Sequence, residues 1–480
     1  MYIKKVPSCC VMRSATMTVR EIHGKPVFDR HAILVCYYFN GFNINMKKIL
    51  LPALSFLLVF GLIVSIWACF APGFMSYDSV VQYQSALDQH YTDSHPAIMS
   101  YVWHLCMQLV PGPQSLLYLH LTLLAVGVFI WQANFRNSIW SLLIPALFML
   151  PWVINFAGVL WKDVGMAFSL LIATGLLFTR RKSMWLVLLS MPFLFYAIGV
   201  RHNAVLAVIP IMFLAFRHYF PKAPIWLGCL TTILLTGVFL LTVFTVTYSF
   251  INAEKKHYET FLMGDDIATI SAKTHQNLLP WVKDNDLTTC SAPPILYERA
   301  MCFIGKGYDP SGSLVVDIPY DETYSLWKKT ILSYPLEYAL VRVEAFFYFL
   351  RPPQALPGYT WFYGIAKNDM NIKLMNPEMA GVLEQYMIST NKTVLSELFK
   401  PYVWLLLAAI ILVWVSRTPA SIEKTQITVL NISALGCFFS LLIAVPSVDF
   451  RYVYWCVIAT TLSVVILAST FRSGHKTEVS

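Results

Sequence analysis

Long apolar runs without a charged residue constrain this chain more than any other feature of its sequence. Of its 480 residues, 57% are hydrophobic and only 13% are charged, whereas soluble domains carry about a quarter charged residues. Several runs approach the length of about 20 residues with which a helix crosses the hydrocarbon core of a bilayer. In that core each backbone polar group must be paired within the chain, as helices allow. The runs therefore predict an all-α polytopic membrane protein.

The apolar windows predict about ten transmembrane helices and a large outer loop domain. They lie at 49–70, 115–134, 139–157, 164–179, 184–199, 204–220, 224–250, 401–416, 426–445 and 452–470. Lys and Arg cluster in alternate connections, beginning with Lys47 and Lys48. Because these residues favour the cytoplasmic side, both termini are expected in the cytoplasm. The apolar stretch 96–114 is short and carries His104, and we expect it to lie at the outer interface. The stretch 334–350 carries Arg342 and Glu344, and we expect it to rest on the membrane or pack against the bundle.

The windows and the basic clusters divide the chain into four parts. In order, these are an N-terminal extension, 1–45; a transmembrane module, 46–250, with a first outer loop, 71–114; an outer loop domain, 251–400; and C-terminal helices with a cytoplasmic tail, 401–480. The extension contains no spanning run, and Met46 precedes Lys47 and Lys48 as in the basic start of a first span. Either Met46 is the natural start or the extension is a disordered cytoplasmic segment.

Polar side chains gather at the helix ends on the predicted outer face. They are Asp78, Gln82, Asp88, Asp93, His95, Lys162, Asp163, Arg201, Asn203, Asp449, Arg451 and Tyr452. Charges so close to spans are costly in lipid, so they are expected to line a wet cavity or to pair with each other. One carboxylate beside several cations is suited to an anionic, membrane-held substrate. The carboxylate would accept a proton, and the cations would stabilise a departing phosphate.

Each of these roles has a structural alternative. Asp78 is the candidate base, but with Ser76 it could simply cap the following helix. Lys162, Arg201 and Arg451 are the candidate phosphate ligands. Lys162 could instead pair with its neighbour Asp163, Arg201 could be an interfacial anchor, and Arg451 could pair with Asp449. The sequence leaves these alternatives open.

The loop domain holds two further candidates. Cys290 and Cys302 both lie in its long polar stretch and could form a disulfide in an oxidising compartment. Asp265 and Asp266 follow Gly264 and could bind a divalent cation, although a turn is the more ordinary interpretation. No metal ligand set follows from the sequence.

The motifs together resemble bacterial membrane glycosyltransferases of the GT-C superfamily. The resemblance is carried by Asp78 after the first span, the later His95-Pro96, Trp161-Lys162-Asp163, Arg201-x-Asn203 and Asp449-Phe450-Arg451-Tyr452, and it covers about residues 46–470. Within this superfamily, the chain most resembles the glucosyltransferases of temperate phages that modify O-antigen. Many members have a paired acidic motif in the first loop, whereas here Ser79 follows Asp78.

The resemblance implies a donor sugar, glucose in the nearest group, linked to a polyprenyl phosphate. It implies transfer to a lipid-linked glycan or O-antigen unit on the periplasmic side of the bacterial inner membrane. Asp78 would be the base, and Lys162, Arg201 and Arg451 would hold the donor phosphate; the remaining polar residues would support the site or bind the acceptor. Nucleic acid is not an expected partner. The competing interpretations are a flippase or transporter for a lipid-linked glycan, and an O-antigen polymerase or ligase.

Overall fold

The computed structural model describes residues 20–22, 25–27, 30–135, 139–279, 320–445 and 447–474. The chain divides into two units, Met1–Leu54 and Ser55–Ser480. In the first unit, the strands β1 (Arg20–Ile22) and β2 (Lys25–Val27) form an antiparallel pair. Helix α1 begins at Arg30, upstream of Met46, and ends at Phe70.

The regular secondary structure in the described part of the second unit is helical. After α1 its helices are α2 (Tyr77–Asp88), α3 (Ala97–Leu109), α4 (Gln114–Asn134), α5 (Leu143–Leu147), α6 (Pro151–Ile154), α7 (Lys162–Leu177), α8 (Met184–Val200), α9 (Val205–Tyr219), α10 (Ile225–Thr245), α11 (Glu259–Thr274), α12 (Tyr320–Ser333), α13 (Pro335–Leu350), α14 (Pro377–Asn391), α15 (Pro401–Ser416), α16 (Ile422–Ile443) and α17 (Tyr454–Gly474). Single helical turns at Ile139–Leu142, His202–Ala204, Val394–Phe399 and Phe450–Val453 join some of them, and Val246–Phe250 extends α10.

Five helical segments in the described part of the chain are long and apolar enough to cross a membrane. They are Leu50–Phe70, Gln114–Asn134, Ile225–Phe250, Ile422–Ile443 and Phe450–Thr470. Each overlaps one of the ten predicted windows. Helices α8 and α15 are apolar but shorter. These segments mark the chain as an all-helical membrane protein.

The window 139–157 does not form the single spanning helix that its hydropathy predicts. It is divided among the turn Ile139–Leu142 and the short helices α5 and α6. Pro151 begins α6 and cannot donate a backbone hydrogen bond to continue the preceding helix. The region is therefore built of short helical segments rather than one long helix.

Helix α7 lies at the centre of the bundle, where it packs against α4, α8 and α17. Nearly all of its side chains are buried. Glycines permit the close approach to α4: a Cβ atom at Gly127 would lie 2.8 Å from Leu171, and one at Gly175 would lie 2.7 Å from Ile130. Small residues at such contacts are typical of helix packing in membranes. This packing fixes the position of Lys162 at the first turn of α7.

The two shorter apolar stretches form helices that are not among the candidate spans. Residues 96–114 contain α3, and residues 334–350 contain α13. On α13, Arg342 is buried and pairs with Asp266 of α11, which also accepts a 2.8 Å hydrogen bond from Trp327 Nε1 of α12. Helices α11, α12 and α13 of the loop domain therefore share one buried polar cluster. The turn predicted at 264–266 is wrong, because these residues lie inside α11.

Candidate functional site

Three connecting segments lie side by side and bring the predicted site residues together. The Phe74 amide donates to the carbonyl of Gly158 (3.1 Å), and the Leu160 amide donates to the carbonyl of Phe74 (2.9 Å). On the other side, the Met75 amide donates to the carbonyl of Gly364 (3.0 Å). The segment before α2 is thus held between the segment before α7 and a segment of the loop domain, residues 359–366, which we call the strap. The N-termini of α2 and α7 are placed next to each other.

Side chains reinforce this junction between α2 and α7. Trp161 Nε1 donates to Ser76 Oγ (2.7 Å), and Ser79 Oγ donates to the carbonyl of Leu160 (2.8 Å). Ser76 makes no side-chain hydrogen bond that caps α2. Asp78 lies in the first turn of α2, but its ion pair is made with a distant residue rather than with its own helix. The capping interpretation therefore does not account for its position.

Arg451 joins two carboxylates at the centre of the site. Its Nη2 lies 3.2 Å from Oδ2 of Asp78, and its Nε lies 2.9 Å from Oδ2 of Asp449. The guanidinium also stacks over the Trp161 ring at 4.4 Å. The predicted pair between Arg451 and Asp449 is confirmed, and it extends to Asp78. The Arg451 side chain is 13% exposed and that of Asp78 is 32% exposed, so the carboxylate remains accessible from solvent.

A second, more deeply buried ion pair lies beside the first. Arg201 Nη1 is 2.9 Å from Oδ1 of Asp163. The Arg201 guanidinium lies 4.7 Å from the ring of Tyr452, and the same ring lies 5.4 Å from the Arg451 guanidinium. Tyr452 therefore links the two pairs. Arg201 is a buried structural cation rather than an interfacial anchor, and Asp163 is not the partner of Lys162.

Lys162 is the cation of the site that has no ion-pair partner in the described part of the chain. It begins α7, before the predicted span 164–179. Burial and the charge of Arg201 lower the pKa of Lys162 to about 8. Burial and the charge of Lys162 lower the pKa of His95 to about 4, so His95 is neutral near pH 7. A cation without a partner, at a helix N-terminus, is suited to an anion.

The charges around Asp78 favour its ionised form. Burial alone would raise its pKa, but the charges of Arg451 and Lys162 and the hydrogen bond from Arg451 outweigh burial and hold the pKa below its usual value. The carboxylate is therefore negative at neutral pH. One of its oxygens contacts Arg451, and it remains able to accept a proton from a substrate hydroxyl that approaches from solvent.

A cavity of about 560 Å³ adjoins the site between α10 and the bundle. Its polar wall includes Asp93, His95 and His202, and its apolar wall includes Leu240 and Phe244 of α10. The charge of Lys162 affects the pKa of both His95 and His202, which places the cation close to this polar wall. The apolar wall belongs to a candidate membrane span, so the cavity suits a ligand with a charged head and an apolar tail.

Four of the predicted supporting residues have their own contacts. Gln82 donates to the backbone carbonyl of Asp78 (3.2 Å). Asn203 donates to Ser440 Oγ (2.9 Å), and Asp93 accepts from Tyr248 (3.0 Å) at the cavity wall. Asp88 accepts from Gln84 Nε2 (2.7 Å) at the far end of α2, about 15 Å along the helix axis from Asp78 at 1.5 Å per residue. The structure therefore separates Asp88 from Asp78.

The sequence did not single out several residues that shape the site. The sequence marks Trp161 only as part of the Trp161-Lys162-Asp163 motif, although its ring lies beneath the Arg451 guanidinium. Phe362 of the strap packs against Trp161 at 5.5 Å. The aromatic run from Tyr359 to Tyr363 is visible in the sequence and could have marked this strap. Cys290 and Cys302 lie outside the described residues, and their disulfide stays a prediction.

The structure gives no direct support to the prediction that Asp265 and Asp266 bind a divalent cation. Among the described residues, no group of three or more His, Cys, Asp or Glu side chains is placed to hold a metal ion. Asp266 is paired with Arg342 and Trp327. No protein-family model matches the chain, and no curated protein matches it.

Replacing Arg201 with Ala is expected to destabilise the fold by about 3–5 kcal/mol, because Asp163 would remain as an uncompensated buried charge. Thermal and denaturant unfolding of the detergent-solubilised protein would measure the loss. Arg180→Ala is the matched control, since the Arg180–Glu423 pair is more exposed and should contribute less than about 1 kcal/mol. Equal losses in the two variants would contradict a special role for the buried pair.

Proposed function

We propose that this chain is a glycosyltransferase that transfers a sugar, glucose by its resemblance, from a polyprenyl phosphate to a lipid-linked glycan or O-antigen unit. The observation that supports this best is the close placement of an ionised carboxylate, an unpaired lysine and an amphiphilic cavity. Asp78 faces solvent in part, Lys162 has no acidic partner in the described chain, and the cavity meets a candidate span. Such a set fits a membrane-held phosphodiester better than a soluble nucleotide sugar.

Asp78 is proposed as the general base. As an acceptor hydroxyl attacks the anomeric carbon, a bond forms between that oxygen and the carbon, and the proton passes to the Asp78 carboxylate. The bond from the anomeric carbon to the phosphate oxygen breaks, and the polyprenyl phosphate leaves with the electron pair. Arg451 holds Asp78 by one oxygen, which positions the carboxylate and keeps it ionised.

Lys162 is proposed as the principal ligand of the departing phosphate. Its ammonium group adds to the partial positive charge at the N-terminus of α7. Arg451 lies close enough for its charge to lower the pKa of Lys162 as well. Arg201 then acts indirectly, because its pair with Asp163 and its contact with Tyr452 keep the segment around Arg451 in place.

The cavity beside α10 is proposed to receive the polyprenyl chain next to the phosphate. The proposed setting is the bacterial inner membrane, with about ten spans, both termini in the cytoplasm and the site on the periplasmic side. The alternation of basic connections supports this orientation. Because the donor reaches the site through the membrane, no nucleotide-binding motif is required.

An assay with purified protein in detergent tests the proposal. The donor is polyprenyl phosphate that carries radiolabelled glucose, and the acceptor is a lipid-linked O-antigen repeat. Label should enter the acceptor with this donor and not with UDP-glucose. Label that only crosses the bilayer of reconstituted vesicles would support a flippase instead. A ladder of longer glycans would support a polymerase, whereas a side-branch transferase adds one sugar to each repeat.

The rate of transfer should fall above about pH 8, where Lys162 loses its charge. The pKa is lowered in the folded protein, so the cation is fully present below that pH and is lost as the pH rises through it. The measurement is kcat/KM for the donor between pH 6 and pH 10, which reports groups of the free enzyme. Lys162→Arg should remove this alkaline decline, because guanidinium stays protonated. An unchanged decline in that variant would assign it to another group.

A further inference from the structure

A row of aromatic rings leads from Asp78 onto the loop domain. Tyr77 precedes Asp78 at the start of α2, and Tyr258 lies just before α11. The neighbouring His257 ring stacks on Tyr320 of α12 with 4.0 Å between ring centroids and 24° between planes. Tyr320 stacks on Tyr324 at 5.8 Å and 14°. The row therefore connects the candidate base with the surface of α12.

Helix α12 presents part of this row on a single face. Tyr320, Tyr324 and Trp327 are spaced by four and three residues, which places them above one another along the helix. Trp327 is fixed at the inner end because its indole nitrogen donates to Asp266, the buried partner of Arg342. The rings are consequently held on a rigid element rather than on a free loop.

Three rings of the row are exposed. Tyr77 is 60% exposed, Tyr258 is 53% exposed and Tyr324 is 41% exposed. None of the three belongs to a candidate membrane span. Exposed aromatic side chains that gather near one another outside the candidate spans mark a candidate binding site. Tyr hydroxyl groups add hydrogen-bonding capacity to the apolar faces of the rings.

Tyr258 connects this surface with the candidate base. Burial raises the pKa of Tyr258, and the Tyr77 hydroxyl and the Asp78 carboxylate lie close enough to raise it further. The Tyr258 ring also lies 6.4 Å from the ring of His95 at the cavity wall. A ligand that covered Tyr77 and Tyr258 would thus end beside Asp78.

We propose that these rings, Tyr77, Tyr258 and Tyr324 with His257 and Tyr320 between them, bind the saccharide chain of the acceptor. Sugar rings present C–H faces that pack on aromatic faces and hydroxyl groups that pair with the tyrosines. A saccharide fits better than a lipid, because α12 carries acidic residues in its first turn and the apolar wall of the cavity is formed by α10 rather than by these rings. This inference rests on the proposed function and assigns its acceptor site.

Tyr324→Ala tests the surface at a distance from Asp78. It should raise KM for the lipid-linked O-antigen repeat about tenfold, the equivalent of one stacking contact of about 1.4 kcal/mol, and leave kcat and the donor KM unchanged. Tyr324→Phe should keep most of the affinity, because the ring face is retained. Tyr386→Ala is the matched control, since Tyr386 is also 41% exposed but lies on α14. Equal effects of the two alanine variants would overturn the assignment.

Photo-crosslinking separates this inference from the proposed function. p-Benzoylphenylalanine is placed at Tyr324 or at Tyr386 in the Asp78→Asn background, and the cells either make or lack O-antigen. A glycan adduct at position 324 alone, dependent on O-antigen, would support the saccharide surface even if transfer chemistry were assigned wrongly. If no O-antigen-dependent adduct formed at position 324 while the protein that retains Asp78 transferred sugar, the surface would be refuted and the proposed function would stand.

Discussion

Replacing Asp78 with Asn is expected to reduce sugar transfer by at least about 100-fold, the lower end of the contribution of a positioned general base. The amide keeps the size of the side chain but cannot accept the acceptor proton at neutral pH. Arg451 would still be held by Asp449, with 2.9 Å between the paired atoms, so the segment around it should remain in place. The measurement is the initial rate with the labelled lipid donor at saturating acceptor.

The control for this variant lies on the same helix. Asp88→Asn removes a carboxylate of the same kind at the other end of α2, where it contacts Gln84. It should transfer sugar within about twofold of the wild-type rate, because the site lies about 15 Å away along the helix. Membrane abundance and unfolding midpoint should be unchanged in both variants. Near-normal transfer by a folded Asp78→Asn protein would exclude Asp78 as the base.

The pH profile adds a second check on Asp78. The charges of Arg451 and Lys162, together with the hydrogen bond from Arg451, overcome the effect of burial and hold the pKa of Asp78 below its ordinary value of 3.8. A carboxylate with a lowered pKa stays ionised above that value and is protonated only as the pH falls below it. Loss of the base by protonation should therefore not limit kcat/KM between pH 5 and pH 7.

Much of the candidate site was predictable because its residues lie at the ends of apolar runs. Asp78, Lys162 and Arg451 each lie where such a run begins or ends, so the alternation of basic connections predicted a common side of the membrane for them. Which of the basic residues form ion pairs and which stay unpaired was not predictable. Whether Lys162 or Arg201 pairs with Asp163 depends on the packing of α7 against α8, which no local pattern encodes.

Long-range contacts account for what the sequence could not predict. Arg451 and Asp78 are separated by 373 positions in the chain, and their contact follows from the packing of the bundle. Residues 364–366 of the strap join the site through backbone hydrogen bonds. Such bonds do not depend on particular side chains, so the sequence carries no pattern that predicts them. The aromatic row likewise depends on the buried cluster of Asp266, Arg342 and Trp327 that fixes the loop-domain helices. The window 139–157 had the hydropathy of a span but is broken into short segments.

Replacing Arg451 with Ala should have the largest combined effect on stability and activity. Asp449 would remain as a buried carboxylate without its partner, at a cost of about 3–5 kcal/mol. Membrane domains with a typical stability of about 5–15 kcal/mol would then be depleted in cells. The contact with the Trp161 ring would also be lost. Abundance in membranes and unfolding in detergent would measure the loss of stability.

Arg451→Lys separates the charge of this residue from its geometry. Lysine keeps the positive charge, but one ammonium group cannot reproduce the fork that contacts both Asp78 and Asp449. We expect a protein that accumulates in the membrane but transfers sugar about 100-fold more slowly. Arg417→Lys at the end of α15 is the control, because Arg417 lies outside the site. If Arg451→Lys transferred sugar at the wild-type rate, positive charge alone would suffice, and Arg451 would not position the base through its two carboxylate contacts.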